Sequence, residues 1–415
     1  MIDLVVVGLG YVGLPLVAEA CRSGMRVIGL DANPDVVAGL NAGFSHVDDL
    51  SNSDVSQLLE RGFSATSDVA VVGEAAAVVI CVPTPLSPEG GPDLGAVRGA
   101  CMSIAPHLKR DTLVVLESTT YPGTTSEVVS PLLEAGSGMV SNRDFWVAFS
   151  PERIDPGNAE YGLRNTPKIV GADSETAAEV AETFYRRVVD TVVVAAGTRE
   201  AEAAKLLENT YRHVNIALVN EMSRFFHELK IDFWDVIRLA ETKPFGFHKF
   251  TPGPGVGGHC IPIDPNYLSH RVRSKLGYAF RFVELAQEIN SSMPSYVSQR
   301  ATRLLNEHGK AVRGSRVLLL GVTYKADIVD QRESPAIDVA NCLLELGAEL
   351  TYFDPLVMEW SVPATRVSNL EEGLAQADLV ILLQAHSSFD IADIESRARM
   401  LLDTRGVTTG GAHRL

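Results

Sequence analysis

The chain has 415 residues, 46% of them hydrophobic and 21% charged, with a formal net charge of −16. The length allows two or three domains, and the apolar fraction is ordinary for a soluble globular protein. The acidic balance argues against a nucleic-acid partner, whose binding needs Lys and Arg to neutralise phosphates, but leaves room for a small anion held by local arginines or a helix N-terminus.

No apolar run is long enough to span a bilayer, so no membrane partner is expected. The N-terminus "MIDLVVVGLG" lacks a basic segment and runs straight into a strand, which argues against a signal peptide. Five cysteines (Cys21, Cys81, Cys101, Cys260, Cys342) are scattered without a CxxC. That pattern fits a reducing, cytoplasmic setting and predicts neither a disulfide framework nor a metal site.

The first part alternates strands and helices. "LVVVGLG" is a short buried strand ending in glycines, and "LPLVAEACRSG" has helical spacing that stops at Gly24. "RVIGLD" is the next strand. The stretch 45–62 reads as a polar loop and helix. "AAVVICVPTP" and "TLVVLESTT" carry the continuous apolar runs of parallel strands covered on both faces, and "DFWVAFSPE" follows them. Several of these runs end in polar, Pro-containing loops, at the strand ends where open α/β sheets bind ligands.

The middle opens with "REAEAAKLLENTYRHVNIALVNEMSRFFHELK", a long helical segment free of Gly and Pro. Lys205, Asn209 and Arg212 fall at i, i+4 and i+7, on one face. The stretch "TKPFGFHKFTPGPGVGGHCIPIDP" is too rich in Gly and Pro to be regular. A further helix is predicted over "FRFVELAQEINSSMPSYVSQRATRLLNEHG", with a bend or break at Pro294. From about Arg313 the chain again reads strand, loop, helix, strand, with "ADLVILLQAH" and "RMLLDTRG" as further strands. This second α/β region has no GxGxxG, so a different ligand, or an edge of the same one, is expected.

Gly8, Gly10 and Gly13 stand in GxGxxG spacing between a strand and a helix, and Asp31 ends the next strand about twenty residues on. The spacing suits a dinucleotide: open backbone and a helix N-terminus for the pyrophosphate, a carboxylate for the ribose 2′-hydroxyl. The alternative is a tight turn without a ligand. Asp31 would repel a 2′-phosphate, which favours NAD over NADP. Cys260 is either a small buried hydrophobe or a nucleophile that glycine crowding leaves open to substrate, with His259 and Asp264 able to tune it. Lys205 and Asn209 are either a solvated stripe or part of a site. Glu152, after "FSP", is equally readable as a loop carboxylate.

Taken together, the motifs resemble those of the UDP-glucose/GDP-mannose dehydrogenase family from Ile2 to about Arg405. They are "VVGLGYVGLPLVA" (6–18), "CVPTP" (81–85), "ESTTYPGT" (117–124), "FSPERIDPGN" (149–158), "KLLENTYR" (205–212), "GPGVGGHCIPIDP" (253–265), "GVTYKADIVDQRESPA" (321–336) and "DTRG" (403–406). The resemblance implies an α/β fold of two Rossmann-like doubly wound domains joined by a long central helix that makes a homodimer. It divides the chain into an NAD-binding domain over 1–198, a central dimerisation and catalytic-loop region over 199–300, and a nucleotide-sugar-binding domain over 301–415. The implied reaction is a four-electron oxidation of C6 of a nucleotide-diphosphate sugar, using two NAD⁺ and passing through a thiohemiacetal and a thioester on Cys260.

The resemblance also implies roles. Lys205 would stabilise oxyanions and handle protons, and Asn209 would donate to the same oxygen. Asp264 would position a water and balance Lys205. Glu152 and Thr119 would serve the hydrolytic water. Gly8, Gly10, Tyr11, Val12, Gly13, Asp31, Thr84, Thr119 and Arg332 match cofactor positions. Phe149, Arg153, Lys205, Asn209, Arg212, Phe250, Gly257 and Lys325 match substrate positions. The motif details are closer to the branch that oxidises UDP-N-acetylglucosamine or UDP-N-acetylmannosamine than to the UDP-glucose branch. Glu117 and Lys243 stand where the latter commonly has lysine and arginine. UDP- or dTDP-glucose remains an alternative substrate. Two other readings stay open: a two-electron dehydrogenase of the β-hydroxyacid type, which has no need of Cys260, and a non-catalytic NAD or nucleotide-sugar binding protein. The joint presence of Lys205, Asn209, Cys260 and Asp264 speaks against the last.

Overall fold

The computed structural model describes every residue except 1, 48, 49, 88–90, 156, 157, 159, 259, 260 and 411. The chain divides into two compact units, each assembled from separated segments. The first comprises residues 1–208 and 266–277, and the second 209–265 and 278–415.

The first unit is built on eight strands. They are β1 (Ile2–Val7), β2 (Val27–Leu30), β3 (Ser64–Thr66), β4 (Ala75–Ile80), β5 (Leu113–Leu116), β6 (Trp146–Phe149), β7 (Lys168–Ala172) and β8 (Val192–Val194). Their order is β3-β2-β1-β4-β5-β6-β7-β8. The first six are parallel in the doubly wound order 3-2-1-4-5-6. β7 then pairs antiparallel with β6, matching Phe149 with Gly171, and β8 follows β7 in parallel. The continuous apolar runs behave as expected of doubly covered strands: every residue of β5 and most of β1 and β4 are buried.

The second unit repeats the order with β9 (Arg316–Leu320), β10 (Glu349–Phe353), β11 (Thr365–Arg366), β12 (Leu379–Leu382), β13 (Leu401–Asp403) and β14 (His413–Arg414). These lie β11-β10-β9-β12-β13-β14, all parallel. Two α/β sheets of doubly wound order are therefore present, as the sequence predicts.

The long helix spans Thr198–Glu228, 31 residues without Gly or Pro. The boundary between the two units falls within it, after Glu208. No break occurs at Pro294: the helix Arg281–Glu307 runs through it, with Pro294 buried inside. Proline cannot donate to the carbonyl four residues back, that of Asn290. Burial of this face against apolar neighbours outweighs one lost helical bond.

Candidate active site

In the first unit, three glycines shape the turn between β1 and the helix Gly13–Arg22 in different ways. Gly8 has φ +92°, and a Cβ there would lie 2.8 Å from the Cys81 carbonyl oxygen. A Cβ on Gly13 would sit 1.9 Å from the Gly8 carbonyl oxygen, so that glycine sets the close approach of helix to turn. Around Gly10 nothing lies within 4 Å of an added Cβ, so there the backbone faces open space. The helix begins after Val12 with no side-chain cap on its amides. Asp31, just past β2, accepts from the Leu9 amide at 2.9 Å on one oxygen and from the Asn33 amide at 2.9 Å on the other. Each carboxylate oxygen keeps a further lone pair. Open backbone, uncapped amides and a fixed carboxylate fit an NAD pyrophosphate and ribose. Tyr11, 41% exposed, borders the same turn.

Loops after β4 and β5 are tied to each other. The Thr84 hydroxyl donates to the Thr119 carbonyl at 2.8 Å, and the Tyr267 hydroxyl donates to the Thr84 carbonyl. The loop after β5 is also anchored to the long helix. Buried Glu202 accepts from the amides of Gly123 (2.5 Å) and Thr125 (2.8 Å) and from the Thr125 hydroxyl (2.8 Å). Burial pushes Glu202 up to about 7 against the pull of these donors.

Next to these loops lies a buried ionic cluster. Lys168 Nζ is 3.2 Å from Glu117 Oε1 and 3.2 Å from Glu152 Oε2. The Tyr185 hydroxyl donates to Glu117 Oε1 at 2.5 Å. Glu152 also accepts from the amides of Arg153 (2.6 Å) and Ile154 (2.7 Å). Burial raises the Glu117 pKa. The same burial acts on Glu152, but Lys168 and the two amides overcome it and hold that carboxyl below its usual range.

The long helix presents Glu202, Lys205 and Asn209 inward: Lys205 is 8% and Asn209 5% exposed, which excludes a solvated stripe for these two. Arg212, one turn on, is exposed. Arg153 is engaged within the first unit. Its guanidinium pairs with Glu208 at 2.7 Å and donates to the Pro167 carbonyl at 2.6 Å. Phe149 is fully buried in the apolar layer under β5 and β6. Strand alternation turns this ring into the core.

In the second unit Asn209 donates to Asp264 Oδ2 at 2.5 Å. Asp264 opens the helix Asp264–Leu276 and is buried. A chain of buried amides fixes the start of the glycine-rich loop: the Gly253 amide donates to Asn220 Oδ1, and Asn220 to Asn290 Oδ1, both at 2.9 Å. Glycine crowding here has a reason the sequence did not reveal. A Cβ on Gly255 would meet Pro335 at 3.0 Å. One on Gly257 would meet the Glu333 carbonyl at 2.6 Å, and one on Gly258 would meet the Tyr324 ring at 2.9 Å. At Gly255, Gly257 and Gly258 the loop backbone packs directly on the segment 324–335. Cys260 and His259 lie outside the described residues. Phe250 packs edge-on to Tyr211, with ring centroids 5.8 Å apart.

Segment 324–335 carries two other predicted residues. Arg332 pairs with Asp330 at 2.9 Å, and the Lys325 carbonyl accepts from the Thr323 hydroxyl at 2.7 Å. Asp327 holds φ +62°; its amide donates to His386 Nδ1 at 3.0 Å. Nδ1 is thereby the acceptor, so the proton sits on Nε2, 3.0 Å from Asp354 Oδ2. Asp354 follows β10 as Asp31 follows β2, and takes the Val322 amide at 2.7 Å as Asp31 takes that of Leu9. In the second sheet, however, the carboxylate is occupied by His386. This agrees with the expectation that the two sheets differ in ligand.

Sequence reasoning missed Lys168 and Glu202. Both are charged residues at the start of regular elements, where solvation is the usual reading, and neither has a partner nearby in the chain.

Comparison with known proteins assigns the parts. Residues 2–189 match the NAD binding domain of the UDP-glucose/GDP-mannose dehydrogenase family, 199–292 its central domain and 318–410 its UDP binding domain. The UDP-N-acetyl-D-glucosamine 6-dehydrogenase of Pseudomonas aeruginosa is 35% identical over 395 residues, covering 94% of this chain and 91% of that protein. A UDP-N-acetyl-D-mannosamine dehydrogenase of Methanococcus maripaludis is 33% identical over 417 residues, covering 97% and 92%. Among solved structures, the UDP-D-ManNAc dehydrogenase of Pyrococcus horikoshii superposes with a TM-score of 0.90 at 32% identity, covering 100% of this chain and 99% of that one.

Proposed function

The chain belongs to the UDP-glucose/GDP-mannose dehydrogenase family and is an NAD-dependent nucleotide-sugar 6-dehydrogenase; we propose that its substrate is a UDP-N-acetylhexosamine and that the residues below carry the reaction. The observation that supports the sugar is the near full-length similarity to enzymes named for UDP-N-acetylglucosamine and UDP-N-acetylmannosamine.

NAD, when bound, accepts the hydride leaving the substrate carbon. Gly10 and the amides of the first helix receive its pyrophosphate, and Asp31 its ribose hydroxyls. Lys205 stabilises the oxygen at C6 and handles its proton. Asn209 donates to the same oxygen, with its amide oriented by Asp264. After the first oxidation, the Cys260 sulfur attacks the aldehyde carbon, and loss of a second hydride turns the thiohemiacetal into a thioester. Water adds to the thioester carbon, Glu152 takes its proton, and sulfur leaves as thiolate, releasing the acid. Thr119 lies on the loop after β5, beside the cofactor end.

We infer a homodimer through the long helix. Leu218, Phe225 and Leu229 repeat at seven and four residues and are 43–63% exposed, and Phe282 and Leu285 of the helix Arg281–Glu307 are also exposed. Such an apolar stripe is costly to leave in water. Light scattering should give twice the chain mass. No helix among the described residues is long and apolar enough to cross a membrane; the reading sets the enzyme in the cytoplasm.

The test follows NADH absorbance with UDP-N-acetylglucosamine, UDP-N-acetylmannosamine, UDP-glucose, GDP-mannose and dTDP-glucose. Two NADH per sugar with a UDP-N-acetylhexosamine is the expected result. Turnover confined to UDP-glucose or dTDP-glucose overturns the sugar assignment, and one NADH per sugar overturns the four-electron reaction.

A further inference from the structure

A parallel strand begins at the end of the sheet remote from ligands, whereas an antiparallel one begins at the ligand end. β7 is the first strand to run against the others, and Lys168 is its first residue. The reversal delivers a lysine to the point where β5 and β6 end and where Glu117 and Glu152 follow them. Its ammonium stands 3.2 Å from each carboxylate. Glu152 is then held at both oxygens: Oε2 by Lys168, Oε1 by the amides of Arg153 and Ile154. Yet 13% of its side chain stays open, against none of Glu117.

We propose that Lys168 is a positioning residue for thioester hydrolysis: it fixes the Glu152 carboxylate in one orientation and keeps it the anionic base, while Glu117 is the carboxyl that takes up a proton when the cluster does. This rests on Glu152 acting as the base in the reading above.

Two carboxylates sharing one buried ammonium leave a net negative charge, which favours uptake of one proton by the pair. The two differ in their other partners. Glu152 has two backbone donors, whereas Glu117 has one further donor, the Tyr185 hydroxyl on Oε1, and its Oε2 has no hydrogen-bond partner among the described residues. The proton therefore goes to Glu117. The other titratable groups facing the cluster are Tyr185, from the helix Glu175–Tyr185, and Cys81, just after β4. Burial, and then Glu117, push both well above their usual values, so neither adds charge near neutrality. Arg153 is turned to Glu208. In the hydrolytic step the water oxygen bonds to the thioester carbon, one water proton passes to Glu152, and the C–S bond breaks to a thiolate. Nothing is oxidised or reduced, and Lys168 exchanges no proton.

The test compares Lys168→Met, Lys168→Arg and Glu152→Gln. Loss of the cation should raise the acid limb of kcat by about one to three pH units. It should slow release of the acid more than the first NADH. Lys168→Arg should keep the limb near wild type, and Glu152→Gln should abolish it. Should Lys168→Met fail to fold, the charge-balanced K168M/E117Q protein removes the cation and one anion together and should show the same upward shift. A readout independent of turnover is the carbon-13 NMR titration of the Glu152 carboxyl, assigned with Glu152→Gln; it should move by the same amount. A wild-type titration of Glu152 in the folded Lys168→Met or K168M/E117Q protein overturns the inference. Failure of wild-type protein to make NADH from any sugar overturns the proposed function instead, and the NMR titration still decides whether Lys168 governs Glu152.

Discussion

Asn209 and Asp264 meet at 2.5 Å, joining the long helix to the first residue of the helix that follows the glycine-rich loop. Both are buried, so each supplies the partner the other needs. Asn209→Ala leaves a buried carboxylate short of a donor and should cost about 1–3 kcal/mol of stability. It should also lower kcat by roughly 10²–10³, the usual loss for one oxyanion donor. Asn209→Asp should be worse in both respects, because it sets two carboxylates in contact. Thermal melts and NADH rates check the pair; equal stability of the two variants would contradict it.

Gly10 and Gly257 should respond oppositely to an added methyl. At Gly10 a Cβ meets nothing within 4 Å, so Gly10→Ala should fold within about 0.5 kcal/mol of wild type. It should still weaken NAD about tenfold or more, ~1.4 kcal/mol, because it fills the pyrophosphate's approach. At Gly257 the methyl would lie 2.6 Å from the Glu333 carbonyl. Gly257→Ala should therefore destabilise by about 1–3 kcal/mol and leave NAD affinity unchanged. Denaturant melts and NAD titration calorimetry separate the two.

Asp31 is held by two amides with its second lone pairs available. Asp31→Ser removes the charge that repels a 2′-phosphate. NAD-over-NADP preference should fall about tenfold or more, ~1.4 kcal/mol, measured as the ratio of Kd values. An unchanged ratio would remove Asp31 from the ribose site.

Two buried groups make stability depend on pH in opposite senses. Burial lowers His213 to about 4, so the fold favours its neutral ring. That contribution is present above pH 6.5 and is lost as pH falls to 4, by about 3 kcal/mol at 1.4 kcal/mol per unit. Glu202, raised to about 7, favours its protonated form. Its contribution is full below pH 4.5 and is lost as pH rises to 7, again by about 3 kcal/mol. The wild type should conceal both effects. His213→Asn should unmask a stability that rises as the solution is acidified from pH 7 to 4.5, and Glu202→Gln one that falls. Denaturant melts across pH 4–8 check this.

Much of the fold was legible because its signals are local. Continuous apolar runs mark β1, β4 and β5 as doubly covered strands, and the spacing of Gly8, Gly10, Gly13 and Asp31 marks the nucleotide turn. Lys168 was not legible. Nothing in "KIVGA" says that its strand runs backwards, and Glu117 lies 51 residues away in the chain. Glu202 likewise finds its donors 77 and 79 residues upstream. Pro294 does not break its helix because packing overrode propensity. Gly255, Gly257 and Gly258 were legible as part of a glycine-rich loop, but the segment that packs on them begins some seventy residues later.

The first unit is interrupted, and this bears on its birth at the ribosome. Residues 266–277 belong to it, yet 209–265 are made before them. At 5–20 residues per second the nascent unit waits roughly 3 to 11 s for its last helix. Until then the Thr84 carbonyl lacks the Tyr267 hydroxyl, and Glu127 lacks Arg271, which binds it at 2.6 Å. The cofactor loops are thus fastened only after the glycine-rich loop has left the tunnel. A chain truncated before residue 266 should show the β-sheet signal of its first unit, with those loops open to proteolysis.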